Sequence, residues 1–300
     1  MTPSPDAQRI AAALAGQPDL YTALRREAAA GAAPLAEILG SLDGTDPATA
    51  ARLRSVDPGL LTAVLRAGSG AAAIASAPAL RAHLAQVTPA PLFRPDPATS
   101  PTLSLLTGGR TPGMPAFSDR AFDAWFAARG VPYGLGSYGE PRTVYETDQF
   151  ADVASPERRT VHLGIDVFAA AGTSLYSPLP GRVLSVTYNA DPLDYGHTLI
   201  LQHDDGPARY FTLYGHLGAS LPALLSAGQT VTAGQLIAHL GDWHENGGWA
   251  AHVHFQIMSD MLSQRGNFFG VGHASLLDVW QDILIDPNLI LRIPADRFGG

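Results

Sequence analysis

His252-Val253-His254-Phe255-Gln256-Ile257-Met258 alternates polar and apolar side chains as far as Ile257. In a helix His252 and His254 would point about 200° apart around the axis. In an extended strand they share one face with Gln256, while Val253, Phe255 and Ile257 enter the opposite one. The run therefore predicts a strand with one face in the core and two imidazoles side by side on the other.

Short apolar or alternating runs precede it at Thr173 to Tyr176, Arg182 to Tyr188, His197 to His203, Arg209 to Tyr214 and Gln235 to Leu240. They are separated by Pro180-Gly181, Asp204-Asp205-Gly206, Ala227-Gly228 and Ala233-Gly234, which are turn signals. That spacing predicts an antiparallel sheet built from hairpins. The closing run from Leu276 to Ile293 reads as a helix interrupted at Asp286-Pro287.

The other end of the chain has a different period. From about Asp6 to Val87 leucines and alanines recur at helical spacing, among them Leu20, Leu24, Leu35, Leu39, Leu61 and Leu65. Breaks at Gln17-Pro18, Asp46-Pro47 and Asp57-Pro58-Gly59 cut this region into short amphipathic helices. Residues 88–118 then carry Pro89, Pro91, Pro95, Pro97, Pro101, Pro112 and Pro115, which favours an extended connection. Ser118 to Gly130 reads as one more helix, capped by Ser118 or Asp119, with Phe122, Trp125 and Phe126 turned to the core. The expected organisation is α+β: a helical region over 1–87, a proline-rich linker over 88–118, and a sheet domain over 119–300 with a helical extension at its end.

Composition narrows the chemistry. All nineteen basic residues are Arg, and the formal net charge is −8; a sequence-independent nucleic-acid binder needs the opposite, clustered positive charge. Without cysteine, any metal site has to use histidines and carboxylates. The N-terminus lacks the basic and apolar regions of a secretory signal, and no run approaches the roughly 20 apolar residues of a membrane span. A soluble, cytoplasmic protein is the corresponding expectation, with export by another route as the alternative.

Three clusters carry chemistry: His162-Leu163-Gly164-Ile165-Asp166, Tyr214-Gly215-His216-Leu217 and the His252/His254 pair. His162 and Asp166, four apart, fall on one face of an extended segment, and Gly164 between them removes a side chain from that surface. Ligands of types His, Asp and His suit zinc, and a set of three leaves the fourth tetrahedral position open. Zinc lowers the pKa of its water to about 7, which would make a nucleophile available at neutral pH. Spare imidazoles suit the accompanying proton transfers. The remaining histidines, His83, His197, His203, His239, His244 and His273, read as ordinary structural or solvated residues. His244-Glu245 does not complete an H-E-x-x-H motif, because Gly248 stands where the second histidine would be.

The H-x-x-x-D and H-x-H patterns with Tyr-Gly-His-Leu between them resemble the M23 peptidases, the lysostaphin and LytM group of peptidoglycan endopeptidases, from about Val161 to Met258. The resemblance implies a catalytic domain of the duplicated-hybrid-motif type and a zinc metalloendopeptidase. One zinc ion would be held by His162, Asp166 and His254, and His216 with His252 would form the catalytic pair. It implies peptidoglycan cross-links, stem peptides or muropeptides as substrate. Between Gly241 and His252 the chain departs from the family's short Gly/Ser/Thr-rich turn, and Trp243 and Trp249 there, with Tyr214, are expected to wall a substrate groove. Two rival readings accompany this one. The segment Val161 to Asp166 also resembles the glucose-type enzyme IIA phosphocarriers, which need no zinc, and some M23-like domains are catalytically silent activators of a partner hydrolase.

Overall fold

The computed structural model describes residues 3–142 and 150–299. Six helices come first: Pro5–Leu14, Leu20–Ala28, Leu35–Thr45, Pro47–Arg54, Pro58–Gly68 and Ala77–Leu84. Their starts follow the breaks read from the sequence. Asp19, Asp46 and Asp57 each accept a backbone N–H of the following first turn, and proline occupies the first helical position after Asp46 and Asp57.

The rest of the chain is organised around a nine-stranded sheet. Its order across the sheet is Thr102–Ser104, Tyr133–Gly136, Ile165–Phe168, His252–Met258, Tyr210–Leu217, Gly196–His203, Gly181–Asn189 and Thr230–Val231, with Leu284–Ile285 pairing the end of His252–Met258. Every pairing in it is antiparallel except that of Thr102–Ser104 with Tyr133–Gly136. The chain is thus α+β, with the expected strands each found within a few residues of their predicted bounds, although Ser174–Tyr176 and Leu236–His239 pair with each other in a separate two-stranded sheet instead of joining the large one. Several elements depart from the sequence reading, among them Thr102–Ser104, a sheet-edge strand inside the segment expected to be a proline-rich linker. Tyr133–Gly136 is too short and glycine-rich to signal a strand, yet it pairs directly with Ile165–Phe168. The helix expected over Ser118 to Gly130 is confined to Ala121–Ala127; Asp119 accepts the Ala121 N–H, and Phe122 is buried while Trp125 and Phe126 are only partly so.

The two faces of the sheet pack against different partners. Val253, Phe255 and Ile257 enter one core with Leu199, Leu201 and Tyr214, closed by Leu80, Leu84 and Phe93. Met258, Leu213 and Ile200, on the other face, join a second core with Leu14, Leu24, Leu61 and Trp280. The first five helices therefore cover one end of the face that carries His252 and His254 and leave its other end open, while Ala77–Leu84 packs on the opposite face. Among the described residues no helix is long and apolar enough to cross a membrane.

Candidate metal centre and active-site cleft

Strand register assembles the site. His254 lies directly opposite Asp166 across the His252–Met258/Ile165–Phe168 pairing, which puts a carboxylate and an imidazole within contact distance on one face. His162 arrives from a separate two-residue strand, Val161–His162, paired with Val271–Gly272. The chain breaks at Leu163-Gly164 rather than running as one extended segment. His162 Nε2, Asp166 Oδ1 and His254 Nδ1 converge there, at 3.0 Å from His162 to His254, 3.2 Å from His162 to Asp166 and 2.9 Å from His254 to Asp166. Four donors about 2.0–2.1 Å from a zinc ion in a tetrahedron are separated by about 3.3 Å, so this triangle has the size of one tetrahedral face.

The protonation pattern suits a cation. His162 donates Nδ1–H to the Ser137 carbonyl at 2.8 Å, which leaves its Nε2 with a lone pair. Burial, with the Arg142 charge, keeps that imidazole below its usual pKa. Asp166 is almost fully buried, which alone would raise its pKa, but the His162, Arg142 and His252 charges hold it well below the carboxylate range. Three electron-pair donors therefore meet in a buried spot where at most one shared proton separates them, and the residues present fit a zinc ion. His254 differs from His162 in how it is held. Its Nε2 is buried without a hydrogen bond among the described residues, and the ring rests on Gly164, where an added Cβ would lie 2.6 Å from its Cε1 and Nε2. Contact, not a carbonyl acceptor, sets this ring's position.

His216 and His252 stand beside the triangle with ring centroids 4.2 Å apart. Each has its tautomer fixed from behind: His216 donates Nδ1–H to the Asn246 carbonyl and His252 to the Ala250 carbonyl, both at 2.7 Å. His252 Nε2 reaches within 3.9 Å of Asp166 Oδ1. Burial pushes His252 and His254 down to about pKa 4. Burial and the neighbouring His252 hold His216 well below the usual imidazole range. At neutral pH the site thus presents uncharged rings.

His216 reaches the cleft through a backbone irregularity. Regular alternation from Gly215, which pairs with His254, would send residue 216 to the opposite face with Tyr214. Opposite Gly196–His203 the register shifts between His197/Leu217 and Leu199/Tyr214, so that Gly215 and His216 together oppose one residue, a β-bulge. His216 adopts φ 62° there, a left-handed conformation rare for a non-glycine residue and concentrated at functional sites. Its N–H donates to the Tyr195 carbonyl at 2.7 Å and its carbonyl accepts Gly241 N–H at 2.9 Å, which hold the bulge.

A cleft of about 370 Å³ opens over these groups, lined by His216, His252, His254, Trp249, Tyr195 and Arg142 among others. Of the three residues expected to wall a groove, only Trp249 does so, edge-on to His216 at 6.2 Å. Tyr214 is a correction: it sits on the other side of the sheet against Phe255, fully buried, because the bulge inverts His216 and not its neighbour. Trp243 also stands away from the cleft; its indole donates to Asp123 at 2.7 Å and packs with Phe117, Phe122 and Phe168. His244 is exposed, and Glu245 accepts the backbone N–H groups of Ala219 and Asp242. Sequence reasoning missed Ser137, Arg142, Tyr195 and Asn246, none of which lies in a recognisable motif. Asn246 organises the loop before the site strand, donating to the Gly241 and Trp249 carbonyls and accepting from Gly248 and Trp249 N–H.

Residues 160–265 match peptidase family M23. A search of curated proteins finds no match. Among solved structures the chain is similar to a zinc-containing peptidase from Vibrio cholerae, 31% identical over 33% of this chain and 28% of that one, with a TM-score of 0.28. It is similar also to the catalytic domain of lysostaphin from Staphylococcus simulans, 20% identical over 52% and 96% of the two chains (TM-score 0.33). Csd3 from Helicobacter pylori is 21% identical over 45% and 30% (TM-score 0.29). The chain spans less than a third of the Vibrio cholerae peptidase and of Csd3.

Proposed function

We propose that this chain, whose residues 160–265 carry a peptidase family M23 domain, is a zinc metalloendopeptidase acting on the peptide portion of peptidoglycan. The observation that carries the reading is the triangle of His162 Nε2, Asp166 Oδ1 and His254 Nδ1 beneath an open cleft, with His216 and His252 beside it in fixed tautomers.

His162, Asp166 and His254 would hold one zinc ion, which when bound supplies Lewis acidity and a water of lowered pKa. The protein's own groups do the rest. His216 and His252, neutral and with Nε2 free of the carbonyls that bind Nδ1, can take a proton from the attacking water and hydrogen-bond the oxyanion that develops on the peptide carbonyl. Burial makes a protonated ring here more acidic than a free imidazolium, suited to passing its proton to the departing amine. Trp249 supplies an apolar wall beside His216 on which a peptide can lie.

The test is digestion of purified peptidoglycan by zinc-loaded protein, with released fragments identified by mass spectrometry. New amino termini at peptide bonds, absent with the His216→Ala protein, are expected. Cross-links and stem peptides that stay intact after prolonged incubation would refute the substrate assignment.

A further inference from the structure

We propose that Arg142 is a positioning residue for the metal centre, holding Asp166 so that one carboxylate oxygen alone faces the ion. The inference rests on the zinc site proposed above. Arg142 is 3% exposed. Its Nη1 donates to Asp166 Oδ2 at 2.7 Å, and its Nε to Glu140 Oε2 at 3.2 Å. Asp166 Oδ1, the other oxygen, is the one in the ligand triangle. The two oxygens of one carboxylate are thus divided between guanidinium and metal site.

The division matters for chemistry. A carboxylate free to turn can bind an ion through both oxygens, and a second oxygen would occupy the position that a catalytic site keeps open. A guanidinium bonded to Oδ2 makes that turn costly, because it would break a buried charge-assisted hydrogen bond between Arg142 and Asp166. Lysine could not do the same, since the planar fork of arginine reaches two carboxylates in fixed directions at once. The strand Tyr133–Gly136 seals the arrangement: Gly136 lies opposite Asp166, and a Cβ on it would sit 2.5 Å from Arg142 Nη2 and 3.2 Å from Asp166 Oδ2.

The support extends outward through Glu140, itself buried. Its Oε1 accepts Thr107 N–H at 2.9 Å, the Thr107 hydroxyl at 3.1 Å and Arg110 Nη2 at 2.6 Å. Charges alternate along Arg110, Glu140, Arg142 and Asp166, so the positive charge of Arg142 is balanced on the side away from the ion. The proline-rich segment, by contributing Thr107 and Arg110, is part of the metal centre's outer scaffold.

The test compares the full-length wild type with Arg142→Lys, Arg142→Ala and Glu140→Gln. Zinc dissociation constants come from chelator competition, the visible spectrum from cobalt-substituted protein, and folding from circular dichroism. Arg142→Ala is expected to weaken zinc 10–100-fold and to lower the cobalt absorption as coordination rises from four to five. Arg142→Lys should fall between, and Glu140→Gln should shift in the same direction by less. Should Arg142→Ala not fold, Arg142→Lys and Glu140→Gln decide the matter alone. Wild-type zinc affinity and an unchanged cobalt spectrum in the folded variants, with only the melting temperature lowered, would overturn the inference and leave the zinc site standing. A wild type that binds no zinc would instead overturn the site and the inference together.

Discussion

Gly164→Ala puts the steric account of His254 at risk with a single methyl group. Gly164 has no positive φ, so alanine is acceptable to the backbone and any effect comes from the added carbon. That carbon would lie 2.6 Å from His254 Cε1 and Nε2 and 2.9 Å from the Phe255 carbonyl oxygen. Ordinary contact begins near 3.4 Å, so the imidazole has to retreat by about 0.8 Å, while metal–ligand distances tolerate about 0.2 Å. The Phe255 carbonyl belongs to the strand itself and prevents the methyl from moving the other way. His254 Nδ1 is therefore driven out of the triangle, and zinc affinity is expected to fall at least about 100-fold, roughly 2.8 kcal/mol at 1.4 kcal/mol per decade. Chelator competition measures the affinity, and a melt in EDTA separates it from a loss of fold. A Gly164→Ala protein that binds zinc within about threefold of the wild type would refute the reasoning that contact with Gly164 places this ligand.

His216→Ala should keep wild-type zinc affinity and lose about 10²–10⁴ in kcat; zinc loss in step with activity would instead make His216 a ligand. Metal-free protein should lose stability as pH falls. Burial depresses His252 and His254 to about 4 in the folded state, whereas the unfolded chain titrates near 6.5, so the unfolded state takes up more protons between those values. The stabilisation is complete above about pH 6.5 and is lost progressively toward pH 4, which urea midpoints in EDTA at pH 7.5, 6 and 5 would register; a flat or rising trend on acidification contradicts it. Trp249→Ala is expected to lower kcat/KM about tenfold without changing zinc content. Trp243→Phe, which loses the hydrogen bond to Asp123 and part of the buried indole, should cost about 1–3 kcal/mol of stability and no activity. A steady-state comparison of the two tryptophan variants shows whether they divide in this way.

The strands and the five central residues were legible because local pattern reports them: period-two alternation gives His252 and His254 a common face, and the short spacing of His162 to Asp166 brings two donors together. The face of His216 was not legible. Alternation from Tyr214 assigns both residues to one side, and only the cross-strand register, one residue against two, shows the bulge that separates them. The same non-local cause hid Arg142 and Glu140, whose partners Asp166 and Thr107 lie 24 and 33 residues away in sequence. Trp243 and Trp249 look equivalent in the loop sequence; the positions of Asp123 and His216, set by tertiary packing, send one away from the cleft and the other to its wall.

Elemental analysis of the purified wild type beside His254→Ala tests the central claim most directly. The account predicts about one zinc ion per wild-type chain and none in the variant, with both proteins folded by circular dichroism. A folded wild type that remains free of zinc after incubation with the metal, or a His254→Ala protein that retains it, would contradict the account.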